Sequence, residues 1–180
     1  MSDWKIDTVH SAILFSVRHL LVSKARGWFS SWTGEISLDP EDPAAGNVHV
    51  RIEAASVDTN EPKRDDHLRS ADFFDAARYP ELTFKSKKVR DLGGDRLRLI
   101  GDLTIRGVTK EVALEVEGLG RVKDPWGGER VGFSAKGRIN REDFGLTWNT
   151  VLEAGGLAVG KDVEIEIELE AIRQLAVKAA

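Results

Sequence analysis

The stretch VEIEIELEAI, residues 163–172, places Val163, Ile165, Ile167, Leu169 and Ala171 on one face and glutamates on the other. Strict period-two alternation predicts an antiparallel strand with one face on a core and the other in water. The pattern recurs at Ile13/Phe15/Val17, Trp32/Gly34/Ile36/Leu38, Val48/Val50/Ile52/Ala54 and Leu82/Phe84. It returns at Leu97/Leu99/Gly101/Leu103/Ile105, Val112/Leu114/Val116 and Val131/Phe133/Ala135/Gly137/Ile139. About eight strands are therefore expected. Turn signals separate several of them: DPEDPAAGN at 39–47, DLGGD at 91–95, KDPWGGE at 123–129 and EAGG at 153–156.

Two segments break the alternation. HLLVSKA, 19–25, reads as a short turn of helix. The polar run DDHLRSADFFD, 65–75, follows VDTNEPKRD, in which Thr59 or Asn60 is placed to cap a helix with Pro62 in its first turn. Asp65 and Arg69 are spaced to pair across one helical turn. Ser70 is placed to start a second short turn, and Pro80 forces Tyr79 extended, which ends the insert near residue 77. Its one strong apolar position, Leu68, keeps the helix at the rim of the sheet, with Phe73 and Phe74 seeking the apolar face. The tail QLAVKAA, 174–180, reads as a frayed end.

Each strand is apolar on one side only, and the helical content is too small to cover such a sheet. It must pack on a second sheet or close on itself, giving a sandwich or a barrel. Inward-facing Gly34, Gly101, Ala135 and Gly137 mark either bends in coiled strands or room for a ligand. At 180 residues the chain is expected to form one domain spanning 1–180.

Composition removes several functions. A net charge of −4 disfavours nucleic acid as the main partner, and attraction to anionic lipid through net charge alone. With no cysteine there is no disulfide, thiol catalysis or cysteine-held metal. The opening MSDWKIDTVH is not a secretory signal and no apolar run is long enough to span a bilayer, so a cytoplasmic location is expected. Histidines 10, 19, 49 and 67 have no metal-ligand spacing. There is no nucleophile elbow, and GLGRVK and GGLAVG lack the strand–turn–helix setting of a dinucleotide loop.

Five ordered blocks carry a resemblance: WKIDTVHSAILFSVRHLLVSKARGWF, SVDTNEPKRDDHLRSADFFDAARYPELTFKS, GDLTIRGVTKEV, INREDFGLTW and VGKDVEIEIELEAI. From Trp4 to Ile172 the chain resembles the YceI-like proteins, described as lipocalin-like and polyisoprenoid-binding. The resemblance implies an all-β fold: an extended antiparallel eight-stranded barrel with a short helical insert near 61–77, and an apolar channel for an isoprenoid chain. It implies no catalytic residue set and no metal. A bound polyisoprenoid or quinone-like lipid is the expected occupant, and a homodimer is compatible. The alternatives are an enzyme acting on a lipid, or a protein-interaction barrel with a filled core.

On that footing the expected wall is Phe15, Val17, Phe29, Trp32, Ile36, Val50, Phe73, Phe74, Phe84, Leu103, Ile105, Phe133, Leu146 and Trp148. The polar insert is expected to act as a lid, with His67 and Arg69 near the head group of the ligand. The competing role is that Phe73 and Phe74 only anchor the insert. His19, in register with Phe15 and Val17, is expected to point inward. Lys24 and Arg26 lie beside the same mouth and are either solvated charges or partners for an anionic head group. INREDFGLTW reads as a strand end, a turn through Asp143 and Gly145, and a new strand, with Arg138 and Arg141 placed to meet carboxylates.

Overall fold

The computed structural model describes residues 2–39 and 41–174. All eight alternating segments are strands: β2 (Ala12–His19), β4 (Trp32–Leu38), β5 (Asn47–Glu53), β7 (Glu81–Gly93), β8 (Arg96–Ile105), β9 (Val108–Lys123), β10 (Glu129–Asn140) and β11 (Val159–Arg173). Three more accompany them: β1 (Ser2–Ile6), β3 (Ser23–Phe29) and β6 (Val57–Asp58). The helix α1 spans Pro62–Arg69.

Neighbours in the sheet run β1–β4–β5–β7–β8–β9–β10–β11, and β11 returns to β1 through Trp4↔Arg173, Lys5↔Ile172 and Ile6↔Ala171. This closes an antiparallel eight-stranded barrel, which leaves no open edge around the ring. β2, β3 and β6 prolong it. β1 and β2 pair with β4 and β3 respectively in antiparallel register, Lys5↔Glu35 and Phe15↔Gly27, so they are two halves of one bent strand facing another. β6 prolongs β5 in the same way and pairs with β3 through Trp28↔Asp58 and Phe29↔Val57. The barrel is thus a simple meander with kinks.

The inner face is the predicted one. Ile13, Phe29, Ile52, Leu82, Phe84, Leu103, Ile105 and Leu114 are buried in one cluster with Phe73 and Phe74. A smaller cluster of Trp4, Val131 and Ala171 lies at the end away from α1, with Phe133 and Leu169 against it. The inward glycines keep an ordinary strand backbone, and a bulge in β7 lies opposite Gly101. A Cβ on Gly101 would stand 2.5 Å from Phe84 Cζ, and one on Gly137 would stand 2.4 Å from Leu114 Cδ2. They are seats for the large side chains of neighbouring strands.

Several expectations are corrected. The helix expected within 19–25 is the β2–β3 hairpin, where Val22 N donates to His19 O at 3.2 Å. Leu20 and Leu21 take φ of 51° and 63°, the left-handed pair that a tight hairpin between twisted strands demands. The cap of α1 is Glu61, whose carboxylate accepts from Lys63 N, and not Thr59 or Asn60. Asp65 does not pair with Arg69; it is buried and accepts from Thr59 N at 2.8 Å and Thr59 Oγ1 at 2.5 Å. After Gly145 no new strand forms. Arg141–Phe144 is a 3₁₀ turn, and only the isolated Val151–Leu157 bridge follows before β11. The expected frayed tail lies, beyond Gln174, outside the described residues.

Candidate ligand channel

The barrel encloses a cavity of about 470 Å³, within the 300–1,000 Å³ range of sites for organic ligands. Its wall runs from Val159, Val163 and Trp148 at the α1 end to Leu38, Pro43 and Asn47 at the other. Along β11 the lining reaches from Val159 to Leu169. Ten residues of strand span about 33 Å, or about 25 Å along an axis tilted by the usual barrel angle.

Phe15, Val17, His19, Phe29, Trp32, Ile36, Val50, His67, Phe73, Phe74, Phe84, Leu103, Ile105, Phe133, Leu146 and Trp148 all line this cavity. Arg69 does not. It donates from Nε to Ala55 O at 2.8 Å and from Nη2 to Val57 O at 3.0 Å, and pairs with Asp66 at 3.1 Å. Its guanidinium staples the insert to Ala55 and Val57, outside the cavity lining. Lys24 also lies outside the lining, bound to Glu164 at 2.8 Å.

The titratable groups of the lining gather at one end: Arg18, His19, Arg64, His67 and Arg141. Among the described residues no carboxylate lines the cavity. Arg141 is the group that sequence reading misplaced. It is 4% exposed, and it meets carbonyl oxygens instead of a carboxylate. Nε donates to Gly160 O at 2.7 Å, Nη1 to Leu146 O at 2.6 Å and Trp148 O at 3.0 Å, and Nη2 to Val159 O at 3.3 Å. Burial lowers its pKa. One guanidinium therefore ties the 146–148 segment to the start of β11 and leaves its positive charge without a counter-ion in the wall.

The insert closes over this end. Phe74 N donates to Leu68 O and Ala76 N to Arg69 O, so the chain doubles back and drives both phenylalanines inward. Phe74 stacks edge-on to Phe29 with centroids 5.9 Å apart, and Phe29 meets Phe15 at 5.6 Å. Phe73 meets Trp148 at 5.5 Å and His67 at 5.1 Å. His67 Nε2 is 2.8 Å from Asp72 Oδ2, which keeps the ring upright.

The YceI-like domain family matches residues 4–171. The chain belongs to the YceI-like family. Protein YceI of Escherichia coli O157:H7 is 42% identical to it over 175 residues, 96% of this chain and 88% of that protein. The YCEI protein crystallised from Campylobacter jejuni has the same fold, with a TM-score of 0.76 and 35% identity, over 88% of this chain and 90% of that one. A polyisoprenoid-binding domain from Saccharophagus degradans, implicated in plant cell wall breakdown, superposes with a TM-score of 0.66. It covers 97% of this chain and 100% of that domain, and at 18% identity the likeness is one of fold. The barrel of this YceI-like chain is thus the fold of its family.

Proposed function

We propose that the protein binds and carries a long-chain isoprenoid lipid, a polyprenyl phosphate or a quinone-like molecule, without transforming it. The observation that carries this reading is the asymmetry of the channel: apolar through the barrel, and basic or imidazole at one end only. A tail lies along the apolar section, and its head group meets His19, Arg64, His67 and the field of Arg141. Each methylene-sized unit withdrawn from water contributes ~0.8 kcal/mol, so length alone gives affinity. The absence of carboxylates from the described lining favours phosphate or carbonyl oxygens as the group presented there. The likeness of fold to a polyisoprenoid-binding domain supports the same ligand class.

Mass spectrometry of an organic extract of the purified protein tests the reading. A long-chain isoprenoid near equimolar amount is the expected result. The paired experiment is Ala135→Trp, which fills the lumen from a buried position on β10. Titration of delipidated protein with a polyprenyl phosphate and with a quinone should show tight binding that this variant loses. An empty extract together with no binding of either probe would overturn the reading.

A further inference from the structure

Beside the polar end of the channel, two hairpin tips present aliphatic side chains to water. Leu20, Leu21 and Val22 are 41, 66 and 81% exposed, and Val151, in the adjoining loop before β11, is 75% exposed. Leu20 N donates to Ala158 O at 2.9 Å. Leu21 lies over Gly156, where an added Cβ would stand 3.2 Å from Leu21 Cδ1. The two tips therefore form one apolar edge, next to His19, Ala158 and Val159 of the lining.

This edge is costly to the chain twice over. Leucine is strained at the positive φ of positions 20 and 21, where asparagine or glycine would relax. Side chains of this size also gain nothing from water. Leu21, Val22 and Val151 stay largely exposed in spite of the contact with Gly156, which points to a use outside the fold. Behind the tip, β2 and β3 carry three cations beside the glutamates of β11, and one of them, Arg18, also borders the channel. Arg18 stands across from Lys24, and Arg26 across from Ser16. One carboxylate, Glu164, serves Lys24 and Arg138 together. Arg18 and Arg26 have no ion-pair partner among the described residues.

We propose that this edge docks the protein on an anionic phospholipid bilayer, with Leu20, Leu21, Val22 and Val151 in the acyl boundary and Arg18, Lys24 and Arg26 at phosphate level. The inference rests on the lipid-binding reading, since a cargo insoluble in water is exchanged where lipid is held, and the edge sets the channel mouth against that surface. Aliphatic tips backed by cations are the pattern of interfacial anchoring. Two turn tips carrying four such side chains fall far short of the roughly 800 Å² per partner of a stable protein interface.

Flotation of delipidated protein with vesicles of phosphatidylcholine, and of phosphatidylcholine with phosphatidylglycerol, tests this. Wild-type protein should float with the phosphatidylglycerol vesicles, less so as salt rises. Leu21→Asn combined with Val22→Ser should weaken partitioning about tenfold or more. The same variant should melt no lower than wild type, because asparagine suits the turn, so loss of binding is not loss of fold. Arg26→Gln should weaken binding to the phosphatidylglycerol vesicles alone. Trp126→Ser, which removes a ring 83% exposed in the β9–β10 turn at the far end, should change nothing. The proposal is overturned if folded wild type ignores both vesicles, if the tip variant floats like wild type, or if Trp126→Ser removes binding. It is equally overturned if light scattering shows that the tip joins two copies of the chain while vesicles are ignored. Isoprenoid titration in detergent, run in parallel, separates the two readings. Retained isoprenoid binding without flotation sinks the docking alone, and flotation without isoprenoid binding supports the docking while sinking the cargo.

Discussion

The imidazole of His67 meets the indole of Trp148 edge-on, with ring centroids 4.6 Å apart and planes at 86°. His67 comes from α1 and Trp148 from the loop before β11, so this contact joins two separate coverings of the channel mouth. Phe73 touches both rings and makes the contact a three-ring latch.

Trp148→Ala opens that latch. Two aromatic contacts are lost, each worth about 0.5–1.5 kcal/mol, so stability should fall by about 1–3 kcal/mol. The bound lipid should dissociate faster by more than the equilibrium affinity loss alone implies, because the mouth loses its cover. Stopped-flow displacement of a fluorescent isoprenoid measures the rate, and a denaturant melt measures the stability.

Arg141→Met removes the donor shared by four carbonyl oxygens and leaves several of them buried and unpaired. At about 1–3 kcal/mol for each unsatisfied buried group, a loss of about 3 kcal/mol or more is expected. Arg141→Lys should recover little of it, since a point-like ammonium cannot reproduce the planar fork. Midpoints of urea unfolding for the two variants check both statements.

Phe74→Ala separates lid from anchor. The ring is buried, so its deletion should cost about 3–5 kcal/mol whichever role it plays. As part of the wall it should also weaken isoprenoid binding. Unchanged affinity with lowered stability would leave the anchoring role alone.

Acid should weaken the fold in a defined direction. Asp7 is held below the usual carboxylate range by His10 and then Arg130, Asp124 by Arg130 and Gly128 N, Glu164 by Lys24, and Glu129 by Arg173 and Arg121. Groups with depressed folded-state pKa contribute stability that is fully present above their unfolded value, about 4, and is lost as pH falls through the folded value. Thermal midpoints should therefore hold between about pH 7 and pH 5 and drop below about pH 4. Arg130→Gln, which deprives Asp7, Asp124 and Glu170 of their common partner, should flatten that acid limb.

Most of the eight predicted strands were legible because apolar residues alternate with polar ones over five or more positions. β3 was not, because its inward residues before Phe29 are Ala25 and Gly27, too small to mark a face. A Cβ on Gly27 would stand 2.5 Å from Phe15 Cζ, so the missing apolar signal is itself the consequence of the Phe15 ring lying over its register partner on the neighbouring strand. β1 offers only Trp4 and Ile6, too short a run for periodicity to register. The hairpin at 20–22 hid behind leucines at a backbone conformation that glycine or asparagine usually announces. Most of the channel wall was legible because a lining and a core obey the same alternation. The partners of Arg69 and Arg141 were not legible, because both guanidiniums take main-chain oxygens made available only by tertiary folding, and the carboxylate that Arg69 adds is Asp66 instead of Asp65.

The closure of β11 on β1 has its own implication for how the vessel is made. Most other joints in the meander lie between strands much nearer along the thread. At the seam β11 meets both β1 and β2, which brings residues 4–19 to residues 159–173. Local joints set quickly, while the one distant joint bears the entropy of bringing the extremities together. Before that stitch is drawn the ribbon is a gutter rather than a pipe, and the greasy interior has no shelter from water along its whole length.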